Sequence, residues 1–377
     1  VKNYANIFLF LAGLFLFTSC DIVDEEYSAA SYGLPNYELR IDSEDYAIFD
    51  ANEFSNLYIS GKISVNGKEF SVRIRHQGNT TRGMFKKNYL VEFETQDPTF
   101  QCKSVILSGQ QKDRSMLRAV LSYYLFSEAG LKTSAIKPVT LYINGTSHGL
   151  YYLIEPVNEE FFIKRGSSTG ELYSAINTLA DFSFKNNSEI RDGFKKRIPD
   201  DDNFYTLEQL ILLLDNGSVE KIKTEVDKYW NVDAYLRYMA VSMLICNHDG
   251  IFHNYYINRE QTSQQYEIVP WDLDLTFGTE TVICAFPGTG NMMDKLMQIP
   301  EYRQLYKKYL SCYVNGCFSN ANMMKKIEEM KQLITDAYAN DPWFESNSDD
   351  LNAEAETLKS YVIQRNEYLR GQLASFN

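Results

Sequence analysis

Positive charge is the first thing this sequence lacks. Its 377 residues carry 37 Lys and Arg against 50 Asp and Glu, a formal net charge of -13. An acidic chain of that kind is repelled by nucleic acid and by anionic membrane surfaces, which argues against both as partners. Long apolar runs are also scarce. Beyond the first 20 residues no stretch is apolar enough for a membrane span, and no internal repeat is present. His is rare, at four residues, and Cys at six. His248 and His253 are five apart, without the tight helical spacing or added Cys ligands that zinc sites use, and are read as orienting a loop. What remains is ample for a large core: 44% of residues are hydrophobic, enough for one bilobal domain or two. The 27 Tyr and 23 Phe are read first as packing residues; a Tyr-rich outer face would also suit a binding protein.

The one long apolar run lies near the start. Lys2 supplies a basic start, 7–17 is apolar but too short to span stably, and Phe17-Thr18-Ser19-Cys20 resembles a lipobox. Residues 1–20 are therefore expected to be a lipoprotein signal peptide, with Cys20 as the lipidated residue. An acidic tether follows over 21–35, opening with Asp21 and Asp24-Glu25-Glu26. The expected location is extracytoplasmic and membrane-anchored: outer membrane, periplasm or cell surface. Five further Cys remain, at 102, 246, 284, 312 and 317. Outside the cytoplasm disulfides are allowed, and the closeness of Cys312 to Cys317 suggests a local bridge. Cys246 is expected to be apolar filler in a buried helix.

Chemistry concentrates in two neighbouring segments. The first is Asn247-His248-Asp249-Gly250-Ile251-Phe252-His253-Asn254, and the second is Pro270-Trp271-Asp272-Leu273-Asp274-Leu275-Thr276-Phe277-Gly278. In the catalytic loop of protein kinases an Asp base is followed, after four residues, by an Asn that binds metal, and a metal-binding Asp-Phe-Gly comes later. Asp249 and Asn254 have that spacing. Asp272, with Asp274 beside it, takes the later place. Residues 232–246 read as a buried helix, capped by Asn231 or Asp233, with Gly250 suiting the loop beyond. The runs 255–258 and 266–269 read as paired strands. Such a hairpin brings its open ends together, so Asn254 and Asp272 should become neighbours. Two carboxylates and an amide oxygen make a hard oxygen site suited to magnesium with bound phosphates. Each residue alone would more often be an ordinary structural turn former, and Trp271-Asp272 could equally be a core Trp with a capping Asp.

These motifs resemble the spore coat protein H kinase family, an atypical kinase-like group. Arg75 to Thr81 (Arg-His-Gln-Gly-Asn-Thr-Thr), Lys86-Lys87-Asn88-Tyr89, and Asn144-Gly145 followed by Gly149-Leu150-Tyr151 to Glu155 resemble it too. The likeness runs from about Tyr58 to the C-terminal helices. It implies an α+β, protein-kinase-like bilobal fold, with a β-rich N-lobe over 36–155 and a mainly helical C-lobe over 156–377. It also implies ATP, magnesium and protein Ser/Thr phosphorylation. Some members are better known as coat or surface proteins than as enzymes.

The first half has the order of a kinase N-lobe. Residues 56–63 and 68–75 read as strands across Asn66-Gly67, 89–93 as another, 113–129 as a helix, and 139–143 with 149–154 as a hairpin across Asn144-Gly145. The segment 77–81 holds one Gly, so it is a poor glycine-rich loop; phosphate contact and a plain polar turn weigh equally. Lys86 and Lys87 head a strand where a kinase carries its phosphate-binding Lys. Alternation lets only one point inward. The resemblance favours Lys86, and Lys87 stays open. Arg73 and Arg75 share a strand face that could meet phosphate. Glu155 stands where a kinase hinge faces adenine, with a buried ion pair as the alternative. The helix over 113–129 has no Glu near its middle to hold a Lys; either neither Lys86 nor Lys87 is that lysine, or its partner lies elsewhere. Residues 182–203 are expected to be a mobile polar insertion. Helices are expected over 207–214, 219–226, 295–315, 322–338 and 352–373.

The resulting expectation is an extracytoplasmic ATP- and magnesium-dependent protein kinase. Asp249 is its base, Asn254, Asp272 and Asp274 are its metal ligands, and Arg75, Lys86, Lys87 and Glu155 bind nucleotide. Two rival functions are a surface adhesion module on a kinase-like fold, bound to surface or coat proteins, and an adenylyl transferase.

Overall fold

The computed structural model describes residues 32–65, 67–95, 102–183, 187–278, 291–343 and 348–376. The expected signal peptide, Cys20, all but the end of the tether, Asn66 and Cys284 lie outside those residues. The fold is mixed α+β.

Seven strands form a closed barrel: β1 (Asn36–Arg40), β2 (Ile59–Val65), β3 (Lys68–Gln77), β4 (Asn88–Phe93), β5 (Ser104–Ser108), β6 (Ile136–Ile143) and β7 (Thr146–Ile154). The order is β1-β2-β3-β4-β5-β7-β6. Parallel pairing of β1 with β6, Tyr37 opposite Leu141, closes it and removes open sheet edges. Alternation builds the interior: Tyr37 and Leu39, Val72 and Ile74, Tyr89 and Val91, and Leu141 and Ile143 pack as one core. The β6–β7 turn is the expected hairpin, with Asn144 at φ 49° and Gly145 at φ 78°, the left-handed pair of a type I′ turn. Asn144 also accepts a hydrogen bond from the Ile41 amide, tying this turn to the end of β1. Helix α1 (Ser43–Ala51), capped by Asp42, covers one end of the barrel with Phe49.

Helix α2 (Arg118–Glu128) lies between β5 and β6. It starts five residues later than the sequence suggests. Met116 sits at φ 56°, which a helix cannot include. Asp113 instead folds the preceding loop around its carboxylate.

After α3 (Glu159–Ile163) comes a second sheet, with order β11-β10-β8-β9: β8 (Glu171–Ala175), β9 (Phe194–Ile198), β10 (Tyr255–Arg259) and β11 (Tyr266–Pro270). The β10–β11 hairpin matches the expected strands. The expected insertion over 182–203 is corrected. It contains α4 (Asn187–Gly193) and β9, with Phe182, Ile190 and Phe194 buried in the main core. Lys196 is buried there because its ammonium meets Asp201 at 2.5 Å and the Tyr173 ring at 5.6 Å.

The remaining helices are α5 (Tyr205–Asn216), α6 (Val219–Glu225), α7 (Val232–Ile245), α8 (Asp249–Phe252), α9 (Asn291–Leu296), α10 (Pro300–Asn315), α11 (Asn320–Ala339) and α12 (Ser348–Ser375). The single helix expected over 295–315 is two, because Pro300 opens α10, and a proline suits a helix start. The α7 helix is the hub of the largest core, where residues such as Leu236, Met239 and Leu244 are buried on several faces. Asn231 caps it by accepting from the Ala234 amide at 3.0 Å. It ends at Cys246 in the left-handed region, φ 50°. Cys246 is disulfide-bonded, which corrects the filler reading. Cys312 and Cys317 are both free, so the suggested local bridge is absent. Among the described residues no helix is long and apolar enough to cross a membrane.

Candidate active site

The end of α7 delivers the first functional segment directly. Asn247 is buried and its side-chain oxygen accepts from the Gly250 amide at 3.2 Å. The Tyr238 hydroxyl donates to the Gly250 carbonyl at 2.7 Å. A Cβ on Gly250 would come within 2.1 Å of the Asn247 amide nitrogen and 2.7 Å of the Tyr238 oxygen, so close approach is what demands glycine there. Asp249 opens the short helix α8 with a half-buried side chain, and His248 Nδ1 lies 3.9 Å from its carboxylate.

The β10–β11 register places the second segment beside the first. Tyr255 pairs with Pro270, so Asn254 immediately precedes the pair and Asp272 follows two residues beyond it. Both adopt φ 56°, a left-handed conformation that Asn and Asp tolerate better than other side chains. Asp272 has an exposed residue surface, yet enough protein crowds its carboxyl to raise the pKa. Burial is the main cause; the Lys112 charge opposes it, while Asp249 reinforces it and His253 opposes it. Asp274 is buried and pushed up to about 7, again chiefly by burial, then by Asp272 and Asp113, with Lys112 opposing. Asp249, Asp272, Asp274 and Asp113 thus form one acidic neighbourhood.

Helix α2 grips this acidic segment with one face. Arg118 Nε donates to the Thr276 carbonyl at 3.1 Å, Ser122 Oγ meets Thr276 Oγ1 at 2.9 Å, and the Tyr123 hydroxyl hydrogen-bonds the Asp272 backbone. Residues 118 and 122 are a helical turn apart, so both reach one strip of chain. Thr276 in turn donates to the Leu273 carbonyl at 2.9 Å. The same Arg118 donates from Nη1 to Asp113 at 2.7 Å. Asp113 is fully buried and accepts from Ser115 and from the Arg118 amide as well.

The charged residues expected to bind nucleotide each have a partner within the protein. Lys86 is fully buried, with Nζ 2.5 Å from Asp341, a residue just beyond α11. Lys87 pairs with Glu53 and donates to the Arg82 carbonyl. Glu155 accepts from Arg165 Nη2 at 2.6 Å and lies 3.7 Å from Lys164; its other contact is the Ala135 amide. These three charges are engaged within the protein, and Glu155 has the ion pair that was the alternative to adenine. Arg75 lies on β3. It donates to the Tyr58 hydroxyl at 3.1 Å and the His76 carbonyl at 3.0 Å, and its charge acts on the Tyr256 hydroxyl together with Arg197 and Asp272. Tyr256 also packs edge-on against Trp271, with ring centroids 5.6 Å apart.

Sequence reasoning missed Lys112, Asp113, Arg118, Tyr123 and Arg197. Their neighbours at the site are distant in sequence, so local spacing carries no signal for them. Among the described residues no group of three or more His, Cys, Asp or Glu is arranged to hold a metal by itself. Two carboxylates and an amide are nevertheless a donor set of the kind magnesium accepts, because that ion keeps waters and phosphate oxygens in its shell.

Comparison with known proteins gives this site its context. The sequence is 26% identical to the inner spore coat protein H of Bacillus subtilis over 355 residues, 90% of this chain and 98% of that one. It is 23% identical to spore coat protein homolog 1 of Rhizopus delemar over 237 residues, 56% of this chain and 38% of that protein. Among solved structures, the Helicobacter pylori proinflammatory kinase CtkA covers 76% of this chain and 94% of its own, at 11% identity and a TM-score of 0.31, too weak a likeness to build on. The family model described as CotH kinase protein matches residues 74–369, a span that holds Asp249, Asn254, Asp272 and Asp274. The chain belongs to the CotH kinase family.

Proposed function

We propose that this protein is an ATP- and magnesium-dependent protein kinase that transfers phosphate to a Ser or Thr hydroxyl. The observation that carries the reading is the placement of Asp249 next to the Asp272–Asp274 segment. The turn after Asp249 is tied through Gly250 to Asn247 and Tyr238, the segment after Asp274 is held through Thr276 by Arg118 and Ser122, and Asn254 stands at the mouth of the hairpin between them. Kinases divide their labour in this way, a base in one loop and metal ligands in the next. In this reading Asp249 orients the acceptor hydroxyl and takes its proton. Asn254 and Asp272 hold magnesium, with Asp274 as a further ligand. Bound magnesium supplies neutralisation of phosphate charge. Arg75 adds a fixed cation at the same mouth. Positioning and charge compensation then carry the rate, with little covalent work for the protein. A bilobal kinase-like division, barrel against helices, belongs to this proposal.

The test is phosphate transfer from labelled ATP to candidate acceptor proteins by the wild type, Asp249→Asn and Asp272→Ala, each first shown to be folded. Asp249→Asn keeps size and most hydrogen bonding. It should retain nucleotide affinity while transfer falls by roughly a hundredfold or more. Asp272→Ala should weaken binding of magnesium-ATP itself. Transfer by Asp249→Asn at the wild-type rate would sink the assignment of this loop.

We also place the protein outside the cytoplasm, anchored through Cys20. The support is the apolar run leading into Thr18-Ser19-Cys20, and a relative named for the spore coat. Metabolic labelling with a lipid precursor should mark the wild type and not Cys20→Ala; equal labelling of both rejects the anchor.

A further inference from the structure

Phosphate binding requires a cation close to the metal carboxylates, and the two lysines that the sequence offers are each paired with a carboxylate of the protein. Lys86 is sealed in. Its stem packs under Gly109, where a Cβ would meet Lys86 Cγ at 2.7 Å, and its ammonium is held by Asp341. Lys87 faces Glu53. The loop 109–116, which seals Lys86, presents a different lysine to the site.

We propose that Lys112 is the lysine that contacts the nucleotide phosphates. This rests on the kinase reading above and deepens it. Lys112 is exposed, and its neighbour Asp113 is fully buried. One side of the loop is therefore anchored while the other points out. The anchoring is dense. The Gly109 amide donates to Asn88 at 2.7 Å, Gln110 Nε2 to Ser108 Oγ at 2.7 Å, the Lys86 amide to Gln111 at 2.8 Å, and the Asp113 amide to the Gln110 carbonyl at 2.9 Å. Gln110 and Met116 hold left-handed conformations at either end, φ 47° and 56°. A charge on such a loop loses little freedom when a ligand arrives.

The direction of Lys112 fits the role. Its ammonium lies 3.5 Å from Thr80 Oγ1, in the polar turn after β3 where phosphate contact was one expectation. Its loop is tied to the carboxylate segment through Arg118, which joins Asp113 at 2.7 Å and the Thr276 carbonyl at 3.1 Å. Lys112 therefore stands on a loop fixed between that turn and the carboxylate segment, and its charge favours the ionised form of both Asp272 and Asp274. Four neighbouring carboxylates would repel a polyphosphate, and a lysine among them offsets that repulsion even before metal arrives.

The experiment is calorimetric titration of magnesium-ATP and, separately, of adenosine into the wild type, Lys112→Ala, Lys112→Arg and the double variant Lys86→Met/Asp341→Asn. Loss of one charge-assisted contact should weaken magnesium-ATP binding by Lys112→Ala by about tenfold to a hundredfold. Adenosine, which has no phosphates, should bind Lys112→Ala as it binds the wild type. Lys112→Arg should recover part of the loss. The folded double variant should keep wild-type affinity, because the proposal gives the phosphate contact to Lys112; a loss in it as large as that of Lys112→Ala overturns the proposal. Wild-type binding of magnesium-ATP by Lys112→Ala overturns the proposal, and so does an equal loss for ATP and adenosine. Both of those results leave the kinase reading standing. A wild type that binds no magnesium-ATP overturns both.

Discussion

At the scale of single residues, what separates function from structure here is the partner each charge has found. Lys86 and Lys87 stand side by side, yet Lys86 pairs with Asp341, 255 residues away, and Lys87 with Glu53. A buried ion pair is costly to break from one side, because the surviving charge has no water to turn to. Lys86→Met should leave Asp341 buried and unpaired and destabilise the protein by about 3–5 kcal/mol. The denaturant midpoint of the variant checks this; an unchanged midpoint would show that the pair is not buried. The placing of Asn254 and Asp272 at one end of a hairpin was legible in the sequence because it is local, set by paired strands and a short turn. The partners of Lys86, Glu155 and Lys112 were not. Their roles depend on which residue of another element reaches them, and one sequence does not encode that in its spacing.

At the scale of elements, α2 works as a clamp. Its Arg118, Ser122 and Tyr123 hold the 272–276 segment, and its Arg118 holds the loop that carries Lys112. Removing one hydroxyl from this network should be felt in stability. Thr276→Val leaves the buried Ser122 hydroxyl without its partner and should cost about 1–3 kcal/mol, read as a lower urea midpoint at unchanged slope. A midpoint equal to that of the wild type would mean that α2 does not secure the segment. Elements with strong patterns were legible. The β2–β3, β6–β7 and β10–β11 hairpins and α7 all fall where alternation, turn residues or an apolar run indicated. The short strands β1, β5, β8 and β9 did not show. Each has only five residues, and β9 reads Phe-Lys-Lys-Arg-Ile. Its Lys196 is buried only because Asp201 and Tyr173 receive it, a tertiary arrangement that overrides the polar look of the strand.

At the scale of the whole molecule, an acidic chain brings a barrel, a four-stranded sheet and a helical core to one group of carboxylates. Its net charge of -13 and its clustered Asp side chains set the same condition: phosphates can approach only if cations come with them. The account therefore turns on whether nucleotide binding needs a divalent metal. Calorimetric titration of ATP into the folded chain after Cys20, with and without magnesium, tests it most directly. The account predicts saturable binding with magnesium and a much weaker signal in its absence. Tight binding that ignores the metal, or no binding under either condition, would contradict it.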